Sequence, residues 1–163
     1  MEALWSTQAP RVPNFTGLFT NIHTPHAFRG YSRRMPGPVA TLGTPMFCDM
    51  GFAPSALLVE PLGVFANDLP VATMMDFAPM VNIPTFGLCR SPANPDVIAL
   101  TAAALGVPTP APCIPVVVTP WISPSNVLID GMPVLTEGAA CECLWAGTIE
   151  LTGPSPALNV EAE

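Results

Sequence analysis

Twenty-two prolines spread through 163 residues decide most of what this chain can fold into. Proline has no N–H, and its ring collides with the preceding helical turn. Long helices are therefore excluded across most of the sequence. Twelve glycines bring the two turn-forming residues to about a fifth of the chain. The prolines are interleaved with Val, Ile, Leu, Phe and Met throughout. That pattern predicts short strands joined by many turns, a mainly β fold. Proline at the first residue of a strand is compatible with this reading.

One window predicts a helix, near 95–105. Asn94 is placed to cap it, Pro95 takes the first position where no donor is needed, and Asp96 opposes the positive end. The alanines that follow favour helix. Gly106 supplies a left-handed cap and Pro108 a stop. Val97, Leu100, Ala104 and Leu105 are the expected buried face.

Two stretches repeat a pattern of turn, strand, turn and strand. Pro54-Ser55-Ala56-Leu57-Leu58-Val59 is followed by Asp68-Leu69-Pro70-Val71-Ala72-Thr73. Pro124-Ser125-Asn126-Val127-Leu128-Ile129 is followed by Gly131-Met132-Pro133-Val134-Leu135-Thr136. Such a repeat points to internal pseudo-symmetry. Near the end, Val134–Leu135 is expected to pair with 143–151, where Thr148-Ile149-Glu150-Leu151 alternates polar and apolar.

Half the residues are apolar and only 10% are charged, against an average of roughly 25% charged. A membrane protein would explain this, but the longest nearly apolar run, Val97 to Val107, is far short of the roughly 20 residues a span needs. No stable membrane insertion is expected. Glu2, Pro10 and Pro13 do not suit a secretion signal, so the cytoplasm is the expected place of synthesis and assembly. Surface covered by partners is the better account of the missing charge. From Met35 onward one basic residue, Arg90, stands against eleven acidic ones. A body of that sign repels phosphate backbones and argues against a nucleic-acid partner.

The composition divides the chain into an N-terminal arm (1–38), a body (39–153) and an acidic tail (154–163). The arm holds four of the five arginines and both histidines, with Trp5, Phe15, Leu18, Phe19, Ile22 and Phe28 as packing groups. The tail after Pro154 is expected to fray.

Chemistry concentrates in Cys48, Cys89, Cys113, Cys141 and Cys143. Without an export signal, disulfides are disfavoured. A Cys-Xaa-Cys pair on a strand puts both sulfurs on one face. Together the five offer enough soft ligand for a tetrahedral zinc or an iron–sulfur centre. The competing reading is five small apolar core residues. His23 and His26 flank a proline and form a second, weaker ligand candidate. Catalytic constellations are thin. No serine sits in a Gly-Xaa-Ser-Xaa-Gly elbow, no Gly-rich phosphate loop is present, and there is no lysine. The acids are scattered singly, with none in a setting that raises its pKa persuasively. The chain is expected not to be an enzyme.

The order of turns and cysteines resembles a family. Phe47-Cys48 with Gly51, Pro54-Ser55 and Leu57 come first. Asn82-Ile83-Pro84, Phe86-Gly87-Leu88-Cys89 and Asn94-Pro95 follow. Then come Thr109-Pro110-Ala111-Pro112-Cys113-Ile114-Pro115, Trp121 and 127–135. Cys141-Glu142-Cys143 and Gly147-Thr148-Ile149 close the string. Over about Val39 to Gly153 this is similar to the PAAR-like spike-tip proteins of contractile injection systems. The usual Gly-Gly after the last cysteine is here Ala146-Gly147.

The resemblance implies a cone-shaped β protein with pseudo-three-fold character. One copy would cap and sharpen a trimeric β-helical spike in a type VI secretion system, extracellular injection particle or phage-like tail. It would help pierce the target envelope, leave the cell on firing, and link an effector cargo. It implies a structural metal, zinc or iron, carried over to the five cysteines. Cys48, Cys89, Cys113 and Cys143 are the preferred ligands and Cys141 the alternate, because one sulfur of a short pair suffices. The rival reading is a free metal-binding adaptor for a secreted effector.

Overall fold

The computed structural model describes residues 37–157 and 160–162. They fall within one compact unit, Arg33–Glu163. His23, His26 and the arm as far as residue 36 lie outside the described residues. The described chain is mainly β with one short helix, as the proline pattern predicts. Its strands are β1 (Gly37–Pro38), β2 (Pro45–Cys48), β3 (Ser55–Ala56), β4 (Phe65–Ala66), β5 (Leu69–Pro70) and β6 (Leu88–Cys89). After α1 (Pro95–Ala103) come β7 (Ala111–Pro112), β8 (Leu128–Ile129), β9 (Met132–Pro133), β10 (Ala140–Cys143), β11 (Gly147–Leu151) and β12 (Glu161–Ala162). Among the described residues no helix is long and apolar enough to cross a membrane.

The second predicted repeat unit is a tight hairpin, while the first is corrected: the strand before 68–73 is β4, and 54–59 instead supplies β3, which pairs with β2. β4 pairs with β5 around Asn67-Asp68, and β8 pairs with β9 around Asp130-Gly131. All four turn residues have positive φ, from 50° to 80°. Two consecutive positive φ values define the turn whose twist matches the twist of its strands. In both hairpins the valine after the proline donates back across the turn, Val71 N to Val64 O at 3.1 Å and Val134 N to Val127 O at 3.0 Å.

The structure adds a third unit, made from both ends of the described chain. β1 pairs antiparallel with β12, and Val39 N donates to Val160 O at 2.9 Å. Pro38-Val39-Ala40-Thr41 thus occupies the place of Pro70-Val71-Ala72-Thr73 and Pro133-Val134-Leu135-Thr136. The three segments close on one another. Ala40 N donates to Leu135 O (2.8 Å), Leu135 N to Ala72 O (2.9 Å) and Ala72 N to Ala40 O (2.9 Å). A second set runs the other way, from Leu42 N to Pro70 O, Met74 N to Pro133 O and Glu137 N to Pro38 O, at 3.0, 2.9 and 3.3 Å. Three bridges follow the same rotation: Val39 with Thr136, Val71 with Thr41, and Val134 with Thr73. Each proline supplies only a carbonyl, and a carbonyl is what its place in the ring uses. Ala40, Ala72 and Leu135 are fully buried, and the three valines and three threonines are buried around them. Pseudo-three-fold symmetry is therefore a property of the backbone.

Above the ring the symmetry survives in two arms. β2 and β10 start at the fourth residue after Thr41 and Thr136 and share one alternation of burial. Gly43 N donates to Leu57 O and Leu57 N to Thr44 O, and Gly138 and Leu151 repeat this with Ala139. These arms join in the four-stranded sheet β10-β11-β2-β3. The expected pairing of Val134–Leu135 with 143–151 is corrected here. β11 pairs with β10 and β2, because Val134 and Leu135 spend their backbone groups in the ring. The tail is also corrected. Ser155 and Ala157 are buried, Thr41 and Ser155 hydroxyls share a hydrogen bond at 3.2 Å, and β12 is paired.

α1 forms as predicted, with the Asn94 side chain accepting from Asp96 N at 2.9 Å. Its expected buried face is corrected. Val97 is buried, but Leu100 is exposed and Leu105 is 96% exposed. Leu105 precedes Gly106, and both take positive φ as the helix unwinds, which swings Leu105 outward.

A chain that ends after Pro156 should lose the third unit. It loses β12, the Val39–Val160 bond and the burial of Ala157 and Ala162. We expect a loss of about 2–4 kcal/mol in stability by chemical denaturation, from apolar burial and unmade hydrogen bonds.

Candidate functional site

The five predicted cysteines are all buried and unpaired, and all belong to one core cluster. Two of them are related by the ring. Cys48 ends β2, Cys143 ends β10, and each lies seven residues beyond its ring threonine. Cys48 and Cys141 flank Ile149 on the buried face of the sheet, since both are its strand partners. Cys143 is paired with Gly147. A Cβ on Gly147 would lie 3.0 Å from Cys48 Sγ, so the Cys48 thiol occupies the space a side chain there would need.

Cys89 and Cys113 arrive on a separate hairpin, β6 with β7. Cys89 is bridged to Gly51, whose N–H donates to Cys48 O at 2.9 Å. A Cβ on Gly51 would stand 2.6 Å from Cys89's neighbour in the core, Phe86. The glycine after Cys48 is thus a close-approach residue that lets the two hairpins meet. Cys113 is held by its N–H to Gly87 O (2.8 Å) and by Thr85 Oγ1 donating to its carbonyl (2.7 Å).

Three thiols receive backbone N–H groups: Cys48 from Met50, Cys113 from Phe86, and Cys143 from Val116 at 3.5 Å. These three also interact electrostatically with one another, and Cys113 with Cys89. Burial pushes the Cys48 thiol up to about 11 from 9.0, opposed by the Met50 N–H. Burial raises Cys113 as well, opposed by the Phe86 N–H. Cys141 is pushed up to about 12 by burial, with no opposing hydrogen bond. Cys143 and Cys48 add to that rise, while Cys143, the pair partner of Cys141, receives a backbone N–H from Val116.

The thiols converge, but convergence is not a ligand cage. Among the described residues no group of three or more His, Cys, Asp or Glu side chains is arranged to hold a metal ion. The donor chemistry suits zinc, while burial favours the protonated form of Cys48, Cys113 and Cys141.

One buried acid departs from the sequence reading. Asp76 is buried, and burial raises its pKa, opposed by the Thr73 N–H and hydroxyl, with the Glu60 charge adding to the rise. Its Oδ2 accepts from Thr73 N at 2.7 Å, and Asn82 Nδ2 reaches Oδ1 at 3.5 Å. Asp76 O accepts from Trp121 Nε1 at 2.8 Å. Asp76 holds the place that Thr44 holds in the first unit, where Thr44 Oγ1 accepts from Thr41 N at 2.9 Å. Its flanks, Met74-Met75 and Phe77-Ala78-Pro79, carried the signal of burial.

Well below pH 9.0 the Cys48 and Cys141 thiols are protonated in both folded and unfolded chains. Above it the unfolded chain releases protons that folded Cys48 and Cys141 keep. Their stabilising effect is therefore full below pH 9 and is lost as pH rises through about 11 to about 12. With no lysine and one tyrosine, little else titrates there. Metal-stripped protein should melt at steadily lower temperature between pH 9 and 11, and Cys141→Ala should flatten that slope.

The family described as Domain of unknown function (DUF4280) matches residues 41–155. That span takes in both continuous hairpins, the four-stranded sheet and all five cysteines, and stops short of β1 and β12. No curated protein and no solved structure matches the chain. The match covers most of the chain, which belongs to this family of unknown function.

Proposed function

We propose that the chain is a PAAR-like tip protein, one copy of which caps the trimeric β-helical spike of a contractile injection system. The observation that carries this reading is the ring. A single chain that closes the end of a homotrimer must offer three similar surfaces about one axis. Here three Pro-Val-Xaa-Thr segments are related by a three-fold rotation in their backbone hydrogen bonds. Two segments distant in sequence, 37–41 and 160–162, come together to complete the ring.

The remaining features support the same role. The end of a β-helix exposes strand edges that need cover. The surface of this chain is poor in charge and carries exposed Val64, Phe65, Val127 and Leu128 on the ring hairpins. Proline-rich turns lower the entropy of the unfolded chain and stiffen a part that must withstand force. The action is mechanical, not catalytic. It begins with assembly in the bacterial cytoplasm and ends outside the cell on firing. Zinc or iron on Cys48, Cys89, Cys113 and Cys143 belongs to this reading, with Cys141 as packing. Bound metal would add to folding stability and draw the sulfurs together.

Light scattering after co-expression with the spike protein of the same genome tests the proposal. A complex of one copy of this chain with three spike chains is the expected result. A chain that stays monomeric beside a free trimer would transfer the case to the metal-binding adaptor. In the complex, metal analysis should find one ion per chain, lost in Cys113→Ala and kept in Cys141→Ala.

A further inference from the structure

The three corners of the ring are equivalent in backbone but not in chemistry. Phe65 is the strand partner of Pro70, Leu128 of Pro133, and Glu161 of Pro38. Each follows a valine whose carbonyl closes the unit, and each precedes a residue turned toward the second core cluster: Ala66, Ile129 and Ala162. The three positions are therefore related by the pseudo-three-fold rotation. At two of them a large apolar side chain stands in water, Phe65 at 54% and Leu128 at 56% exposure. Val64 and Val127 stand beside them at 41% each. At the third position the exposed side chain is a carboxylate, Glu161.

A homotrimer coaxial with the ring presents the same surface to all three corners. If that surface is apolar, it gains from Phe65 and Leu128, while Glu161 loses water without a partner. If it is basic, the reverse holds, and two large apolar groups are left against charge. Two corners against one favour the apolar surface. The single acid then lies on β12, opposite β1, outside the segment that the family match covers.

Resting on the capping reading above, we infer a two-plus-one interface. Two chains of a homotrimeric partner hold the cap through apolar sites over Phe65 and Leu128. The third meets Glu161, and its equivalent apolar site is left unfilled.

The test uses the full chain and the trimeric spike protein of the same genome, with affinity measured by calorimetry. Phe65→Asp and Leu128→Asp should each weaken binding about tenfold to hundredfold, as loss of a buried large apolar group implies. Glu161→Leu should tighten it about tenfold on the same basis. All three side chains are exposed, so melting temperatures should match the parent; Phe65→Ser and Leu128→Ser serve where an aspartate disturbs the hairpin. Parent-like affinity in both Phe65 and Leu128 variants, or weaker binding by Glu161→Leu, overturns the two-plus-one interface while leaving the cap intact. Failure of the parent chain to bind the trimer overturns the capping reading, and this inference with it.

Discussion

Three backbone hydrogen bonds that run in a closed circle, among Ala40, Ala72 and Leu135, organise the rest of this molecule. Each residue donates to one neighbour and accepts from the other, so the ring leaves no strand edge at its centre. The central side chains must be small or must share one space, because three of them converge on an axis. Two alanines and one leucine satisfy that, and all three are fully buried. Buried backbone polar groups need partners. In a chain with strands of two to five residues, a ring of this kind supplies them where no long ladder exists.

The ring also explains how so many prolines are tolerated. Pro38, Pro70 and Pro133 each end a two-residue strand and lend only their carbonyls to the neighbouring unit. The missing N–H costs nothing there, while the fixed φ reduces the freedom the unfolded chain would otherwise have. Hairpins of this length are not stable alone. Two of them and the β1–β12 pair, locked edge to edge over a small apolar cluster, hold one another.

Side-chain chemistry differs between the units where the symmetry breaks. Above the ring, two units rise into strands that end in Cys48 and Cys143, and the other turns through Asp76 instead. Cys89 and Cys113 come in from a hairpin outside the repeat and meet the first two across Gly51. At the ring corners the same breaking replaces a third apolar residue with Glu161. A symmetric frame thus carries an asymmetric thiol cluster at one level and an asymmetric set of exposed side chains at another.

Much of this was legible in the residues. Proline spacing limited the strand lengths, the Asn94-Pro95-Asp96 signal determined the helix start, and the second repeat unit announced the β8–β9 hairpin around Asp130-Gly131. Those are short-range effects, set by φ preferences and missing donors within a few residues. The burial of Asp76 ran against the reading of the acids, although its apolar flanks carried the signal. The third unit was not legible as a hairpin, because its strands lie at opposite ends of the described chain and no turn joins them. Nor was the exposure of Leu105, which depends on where the helix unwinds. Convergence of the five thiols, the ring, and the inequality of its three corners are contacts between distant segments. Local sequence limits which of these can form, and only the tertiary packing selects among them.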